Sequence, residues 1–161
     1  MKRPATILAL LLILIGFGIW WFSPTQVVKR RTHDLCKVLT LDAGTPPAGR
    51  TLGAFKLDRL LQPNVELDIP SIPDASGTLE RSDIDSSFKW LCANAKETRF
   101  KIIRIDSIFI DRDLANVRAR LEAHVLLSGT QLVDSPGDAS FTWRKTEDGW
   151  RLEKASWSES P

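Results

Sequence analysis

Asn116-Val117-Arg118-Ala119-Arg120-Leu121-Glu122-Ala123-His124-Val125-Leu126-Leu127-Ser128 alternates apolar and polar residues along most of its length. In an extended chain successive side chains point to opposite faces. Val117, Ala119, Leu121, Ala123, Val125 and Leu127 therefore share one face, and Arg118, Arg120, Glu122 and His124 the other. A strand with one dry and one wet face belongs to an antiparallel sheet that is covered on one side only. Working outward, Arg99 to Asp111, Ala139 to Lys145 and Trp150 to Trp157 read as its companions. They are joined through Asp111-Arg112-Asp113 and Thr146-Glu147-Asp148-Gly149. The second of these turns fits a hairpin loop in which Gly149 takes the positive φ.

Upstream of Glu97 the period changes to that of helices. Ile84, Phe88, Leu91, Cys92 and Ala95 recur at helical spacing behind Ser82 to Asp85, which has the form of a capped helix start. Val28, Leu35, Cys36 and Leu39 form a similar stripe after Ser23-Pro24, and Gly44-Thr45-Pro46-Pro47-Ala48-Gly49 breaks that helix. Thr51 to Leu61 reads as a shorter helix ended by Pro63, Val65 to Ile69 as a short strand, and Ser71 to Thr78 as loop. Helix, helix, strand, helix and then four strands in hairpins is an α+β order. It predicts three helices on one face of a bent, mainly antiparallel sheet.

A different kind of segment precedes this domain. Ala5 to Phe22 carries no charge, and eleven of its residues are Leu, Ile or Phe. As a helix it would span about 27 Å, close to the roughly 30 Å hydrocarbon core of a bilayer. Lys2 and Arg3 stand before it and Trp20 and Trp21 at its far end, where membrane-interface anchors are expected. A cleaved signal peptide shares the basic start, but no small-x-small pair follows the apolar run. The expectation is an uncleaved signal-anchor over residues 1–24 and a single domain over 25–161. That domain is placed outside the cytoplasm of a bacterial inner membrane, because the short basic leader abuts the span.

Charge narrows the partners. The net charge of +2 comes from Lys2 and Arg3, so residues 25–161 are formally neutral. Binding nucleic acid needs a net basic face, and none is expected. The partners expected are the bilayer, through residues 5–22, and a protein partner or a second copy. No G-x-S-x-G elbow and no phosphate-binding Gly-rich loop occurs. His33 and Cys36 could share a helix face, but a structural zinc needs four ligands, and His124 sits on the polar face of its strand. No metal or cofactor is expected. Lys29-Arg30-Arg31, just past the span, is either a solvated helix face or a contact for anionic headgroups.

The element order closes with Phe141-Thr142-Trp143-Arg144-Lys145 and Asp148-Gly149-Trp150-Arg151-Leu152. Over residues 26–158 it resembles the nuclear transport factor 2-like superfamily, which includes ketosteroid-isomerase-like and polyketide-cyclase-like proteins. The resemblance implies a cone, with the sheet curled around the helices and a pocket between them. Trp90, Trp143 and Trp150, together with Trp157, are then candidates for core or pocket lining. The helices that carry Cys36 and Cys92 would be neighbours in such a fold. The pair is a disulfide candidate closing a loop of 57 residues, worth roughly 4 kcal/mol, or else two buried free thiols. Isomerase-like members use an Asp base and a Tyr or acidic oxyanion donor. This chain has no Tyr, and Asp106 and Glu122 lack a matched partner, so no catalytic residue is assigned. A single span followed by such a domain also resembles the bitopic assembly proteins of bacterial type IV secretion. The function expected is a membrane-anchored interaction or assembly module, then a binder of small apolar ligands, then an isomerase- or cyclase-type enzyme.

Overall fold

A computed structural model describes residues 3–42, 44–70, 76–127 and 130–159. Its helices are α1 (Arg3–Trp21), α2 (Pro24–Leu39), α3 (Pro47–Asp58) and α4 (Arg81–Asn94). Its strands are β1 (Leu61–Asp68), β2 (Gly77–Glu80), β3 (Ala95–Asp111), β4 (Leu114–Leu127), β5 (Thr130–Thr146) and β6 (Gly149–Glu159). They form one sheet in the order β2-β1-β6-β5-β4-β3, antiparallel throughout except for the parallel pair β1 and β6. The α+β class and the helical layer follow the sequence, while the sheet gains a sixth strand and a parallel pair.

The alternating strand behaves as its pattern dictates. Val117, Ala119, Leu121, Ala123 and Val125 are all buried, and the first three join Val28, Leu35, Phe88, Phe141 and Leu152 in one core. Burying an aliphatic side chain of this size contributes about 1.5–3 kcal/mol. On α2 the buried stripe is Val28, Thr32, Leu35 and Cys36, and the Thr32 hydroxyl is satisfied by the Val28 carbonyl at 3.0 Å. Arg50 braces α3 against the end of α4, donating to the carbonyls of Cys92 and Ala95.

Several boundaries differ from the sequence reading, each for a local reason. α3 starts at Pro47, because proline is tolerated in the first helical turn, where its missing N–H is not needed. Pro63 lies inside β1 and not at a helix end. The β1–β6 register is irregular between Leu61 and Glu66, so no regular ladder bond is required there. β2 occupies residues read as loop, of which 71–75 lie outside the described residues. It runs straight into α4, so Glu80 stands at the N-cap and the Ser82 hydroxyl makes no cap bond. β5 begins at Thr130, nine residues early. Its first part is paired to β4 on one side only, where the donor missing at Pro136 is tolerated.

The sheet bends. Its β3–β4 ladder shifts register at three points, and β4–β5 and β5–β6 shift once each. Bulges of this kind increase twist and fold a sheet around what it covers. The free edge of β3 is pinned to the chain leaving α2. Leu41 and Thr98 exchange backbone hydrogen bonds of 2.9 and 3.0 Å, and the Thr98 hydroxyl donates to the Leu39 carbonyl at 2.6 Å. The Thr40 hydroxyl in turn accepts from the Phe100 amide at 3.0 Å.

α1 stands apart from this core. Its side chains from Leu11 onward are largely exposed, and its firm attachment is at the α2 junction. There Arg30 donates to the Trp21 carbonyl at 2.9 Å and lies 4.4 Å from the centre of the Trp21 ring. Trp20 packs on Trp21 and Phe17. Arg3 opens the helix, and Lys2 lies outside the described residues. Among the described residues no single helix is long and apolar enough to cross a membrane. The pair Leu11–Trp21 and Pro24–Leu39, bent by 56°, is so by length and composition.

Replacing Thr98 by Val leaves the Leu39 carbonyl without its buried donor. Equilibrium denaturation is expected to show a loss of about 1–3 kcal/mol.

Candidate ligand-binding cavity

Between the helices and the curled sheet lies a cavity of about 230 Å³. α2 contributes Leu35, Cys36 and Leu39 to its roof, α3 contributes Leu57 and α4 contributes Ile84. The floor comes from the strands, with Leu121 on β4, Ala139 and Phe141 on β5, and Leu152 and Trp157 on β6. Among the described residues the wall is apolar except for Ser156 and Cys36, neither of which turns a polar atom to the space. The space has a sequence cause. Ala139 faces it from β5, and its cross-strand partner on β4 is Ala119. Two alanines stand there where neighbouring inward positions carry Leu121 and Phe141.

Trp157 reaches the wall through a break in strand periodicity. Trp150 and Leu152 are buried at even positions, and strict alternation would turn Trp157 outward. The β5–β6 ladder passes from Trp143↔Leu152 to Thr142↔Lys154, so Glu153 is an extra residue and the inward parity flips. The indole then lies on Gly137, where an added Cβ would stand 2.4 Å from its Nε1 and 2.6 Å from the Ser158 carbonyl oxygen. Any larger residue at 137 must push both away.

The structure corrects the expected pocket residues. Trp143 is fully buried and Trp150 nearly so, but both sit in the core and neither lines the cavity. Trp90 is 56% exposed on α4 and lines nothing. The expected Cys36–Cys92 bridge is not formed, and both residues are free, buried thiols. The reason is topological: α3 packs against both α2 and α4, and these two make no extended contact with each other. Among the described residues Cys36 is the one titratable group on the cavity wall. Burial pushes its thiol up to about 12. Cys92 is also raised by burial, partly offset by the charge of Arg50.

The acids considered for catalysis face elsewhere. Asp106 accepts from Arg104 Nε at 2.6 Å on the sheet surface, and Glu122 is exposed. His124 Nδ1 lies 3.1 Å from Asp134, away from His33, Cys36 and Cys92. No group of three or more His, Cys, Asp or Glu among the described residues is placed to hold a metal.

No protein-family model matches the chain, and no curated protein matches it by sequence. Solved structures do match in shape. The Kfla4162 protein from Kribbella flavida aligns over 83% of this chain and 88% of its own, with a TM-score of 0.66 at 19% identity. An NTF2-like protein from Cytophaga hutchinsonii aligns over 86% and 100%, with a TM-score of 0.66 at 14% identity. A protein of the NTF2-like family from Streptomyces avermitilis, provisionally assigned as a dehydratase, aligns over 85% and 96%, with a TM-score of 0.63 at 17% identity. The fold is that of nuclear transport factor 2-like proteins. At these identities the likeness establishes the cone and not a shared activity.

Two outcomes follow for a domain with this fold and this lining. With a pKa near 12, about one Cys36 in ten thousand is a thiolate at pH 8. Neither cysteine is expected to react with maleimide until the protein is denatured, and no reductant should then be needed. The same raised pKa costs stability in alkali. Between pH 9 and about 12 the unfolded thiol ionises while the folded one stays protonated. The contribution is therefore intact below pH 9 and is lost as the pH rises through that window. The second outcome concerns Gly137→Ala, which should lower stability by about 1–3 kcal/mol and shift Trp157 fluorescence, as read by denaturant titration.

Proposed function

We propose that the chain is a membrane-tethered binding protein whose cone holds a small apolar ligand. The observation that carries this reading is the cavity of about 230 Å³ with an apolar wall. Apolar cavities of about 150 Å³ stay dry and take up benzene. A larger one of the same character fits a molecule of one or two fused rings. Catalysis has little support at this site, because the one titratable group on its wall is a thiol held neutral by burial. The cavity favours ligand binding over the protein-interaction role expected from the tether alone.

The tether reading rests on α1, a helix of 19 residues with no charge after Arg3 and with exposed Leu, Ile, Phe and Trp side chains from Leu11 onward. In water that apolar surface would be costly, and in a bilayer it is the solvated surface. With both cysteines free, no disulfide adds support for an oxidising compartment outside the cytoplasm. The placement rests on the short basic leader before the span.

The test uses the full chain in phosphatidylcholine nanodiscs, titrated with indole and followed by methyl NMR. Saturable shifts confined to Leu35, Leu57, Val65 and Leu121 are expected. Ala139→Phe should fill the space, keep the melting temperature within a few degrees and weaken binding at least tenfold. Shifts that do not saturate, or that persist unchanged in Ala139→Phe, would overturn the reading.

A further inference from the structure

We propose that the outer groove between α2 and α3 is a binding site for a phosphate-bearing anion, supplied either free or as an anionic lipid headgroup. The groove has a volume of about 500 Å³. It draws Arg31 and Lys37 from α2, Lys56 from α3 and Arg59 from the turn after it, with Asp34 as its one acid. None of the four cations has an ion pair among the described residues, whereas Lys89, Arg104, Arg144 and Lys154 all do. Their convergence is a local segregation of charge, because residues 25–161 as a whole are formally neutral.

Arg31 and Arg59 also line an adjoining recess with Arg151 and Asp148. Arg151 is fixed there, donating to Asp148 at 2.9 Å and to the Leu61 carbonyl at 3.3 Å, with its side chain 19% exposed. Arg31 Nη2 lies against the β5–β6 turn, 3.4 Å from where a Cβ on Gly149 would stand. Three guanidinium groups from separate elements thus meet at one place, and Asp148 already has a partner. Planar guanidinium forks match phosphate oxygens in pairs, and their charge does not titrate away at physiological pH. Two lysines farther along the groove add point charges that a larger polar headgroup could reach.

Position along the chain makes a headgroup a concrete source. Arg31 is seven residues beyond Pro24, about 10 Å along α2. With the 56° bend this is about 6 Å along the axis of α1, within one headgroup layer of roughly 5–8 Å. Only this geometric step uses the tether reading. The anion site itself stands on the groove, and it does not depend on the apolar cavity.

The experiment follows the side-chain Nε–H signals of Arg31 and Arg59 in the full chain. One arm titrates inorganic phosphate in dodecyl maltoside micelles. The other replaces phosphatidylcholine by phosphatidylglycerol in nanodiscs. Saturable shifts in the first arm identify free phosphate as sufficient, and shifts in the second arm alone identify the headgroup. Binding should weaken steeply with added salt. Arg31→Gln with Arg59→Gln, read by the melting of the domain under phosphate or phosphatidylglycerol, should weaken binding at least tenfold, and Lys89→Gln should not. No saturable response in either arm, or an equal response from the double variant, overturns the proposal. Indole binding by the double variant should be unchanged, so failure here is distinguishable from failure of the cavity reading.

Discussion

The cone is held open by a clasp between residues far apart in sequence. Leu41 follows α2 and Thr98 lies near the start of β3, and they bond to each other through backbone and hydroxyl groups. β3 is the outermost strand on its side of the sheet, and without this attachment its edge would present unpaired backbone groups. Fixing that edge to the end of the helix sets how far the curled sheet closes over α2. Register shifts supply the curvature, and the clasp decides where the curvature stops. With α2 held there, the small side chain of Ala139 on β5 leaves space beneath the helix.

The features that repeat along the chain were legible from it, and those that depend on a break in repetition were not. Val117 to Val125 alternate without interruption, and their burial follows directly. The helical stripes at Leu35, Cys36, Phe88 and Cys92 likewise became core. Trp157 could not be placed by periodicity, because one extra residue at Glu153 reverses which positions face inward. β2 is four residues long in a segment of turn-forming residues, too short to show a period. Pro63 read as a helix end because proline lacks a donor, and it sits in β1 where no donor is required. Whether an apolar stripe closes completely or leaves a cavity depends on the summed volumes of residues from five strands and three helices. No local pattern encodes that sum.

An apolar wall also governs what proton chemistry the described lining residues can supply. A general acid or base needs a titratable group in the pocket whose pKa lies near the working pH. Here the one such group is Cys36, and burial moves it several pH units above neutrality. A carboxylate in the same place would be driven toward its neutral form by the same desolvation, unless a donor or a cation were buried with it. The acids and arginines of this domain pair instead at its surface, as Arg104 with Asp106 and Arg144 with Glu153 do.

α2 lines two recesses on different faces because its side chains repeat every 3.6 residues. Leu35, Cys36 and Leu39 point to the sheet and line the cavity, while Arg31, Asp34, Lys37 and Val38 line the groove against α3. α3 divides in the same way, with Leu57 inward and Lys56 outward. A change in the spacing of these two helices therefore alters both volumes together. α2 also follows the exposed apolar helix α1 after a bend, and Arg30 locks that bend through Trp21. One helix thus follows the junction with α1 and borders both the groove and the cavity. That helix is itself fixed at its far end by Leu41 and Thr98.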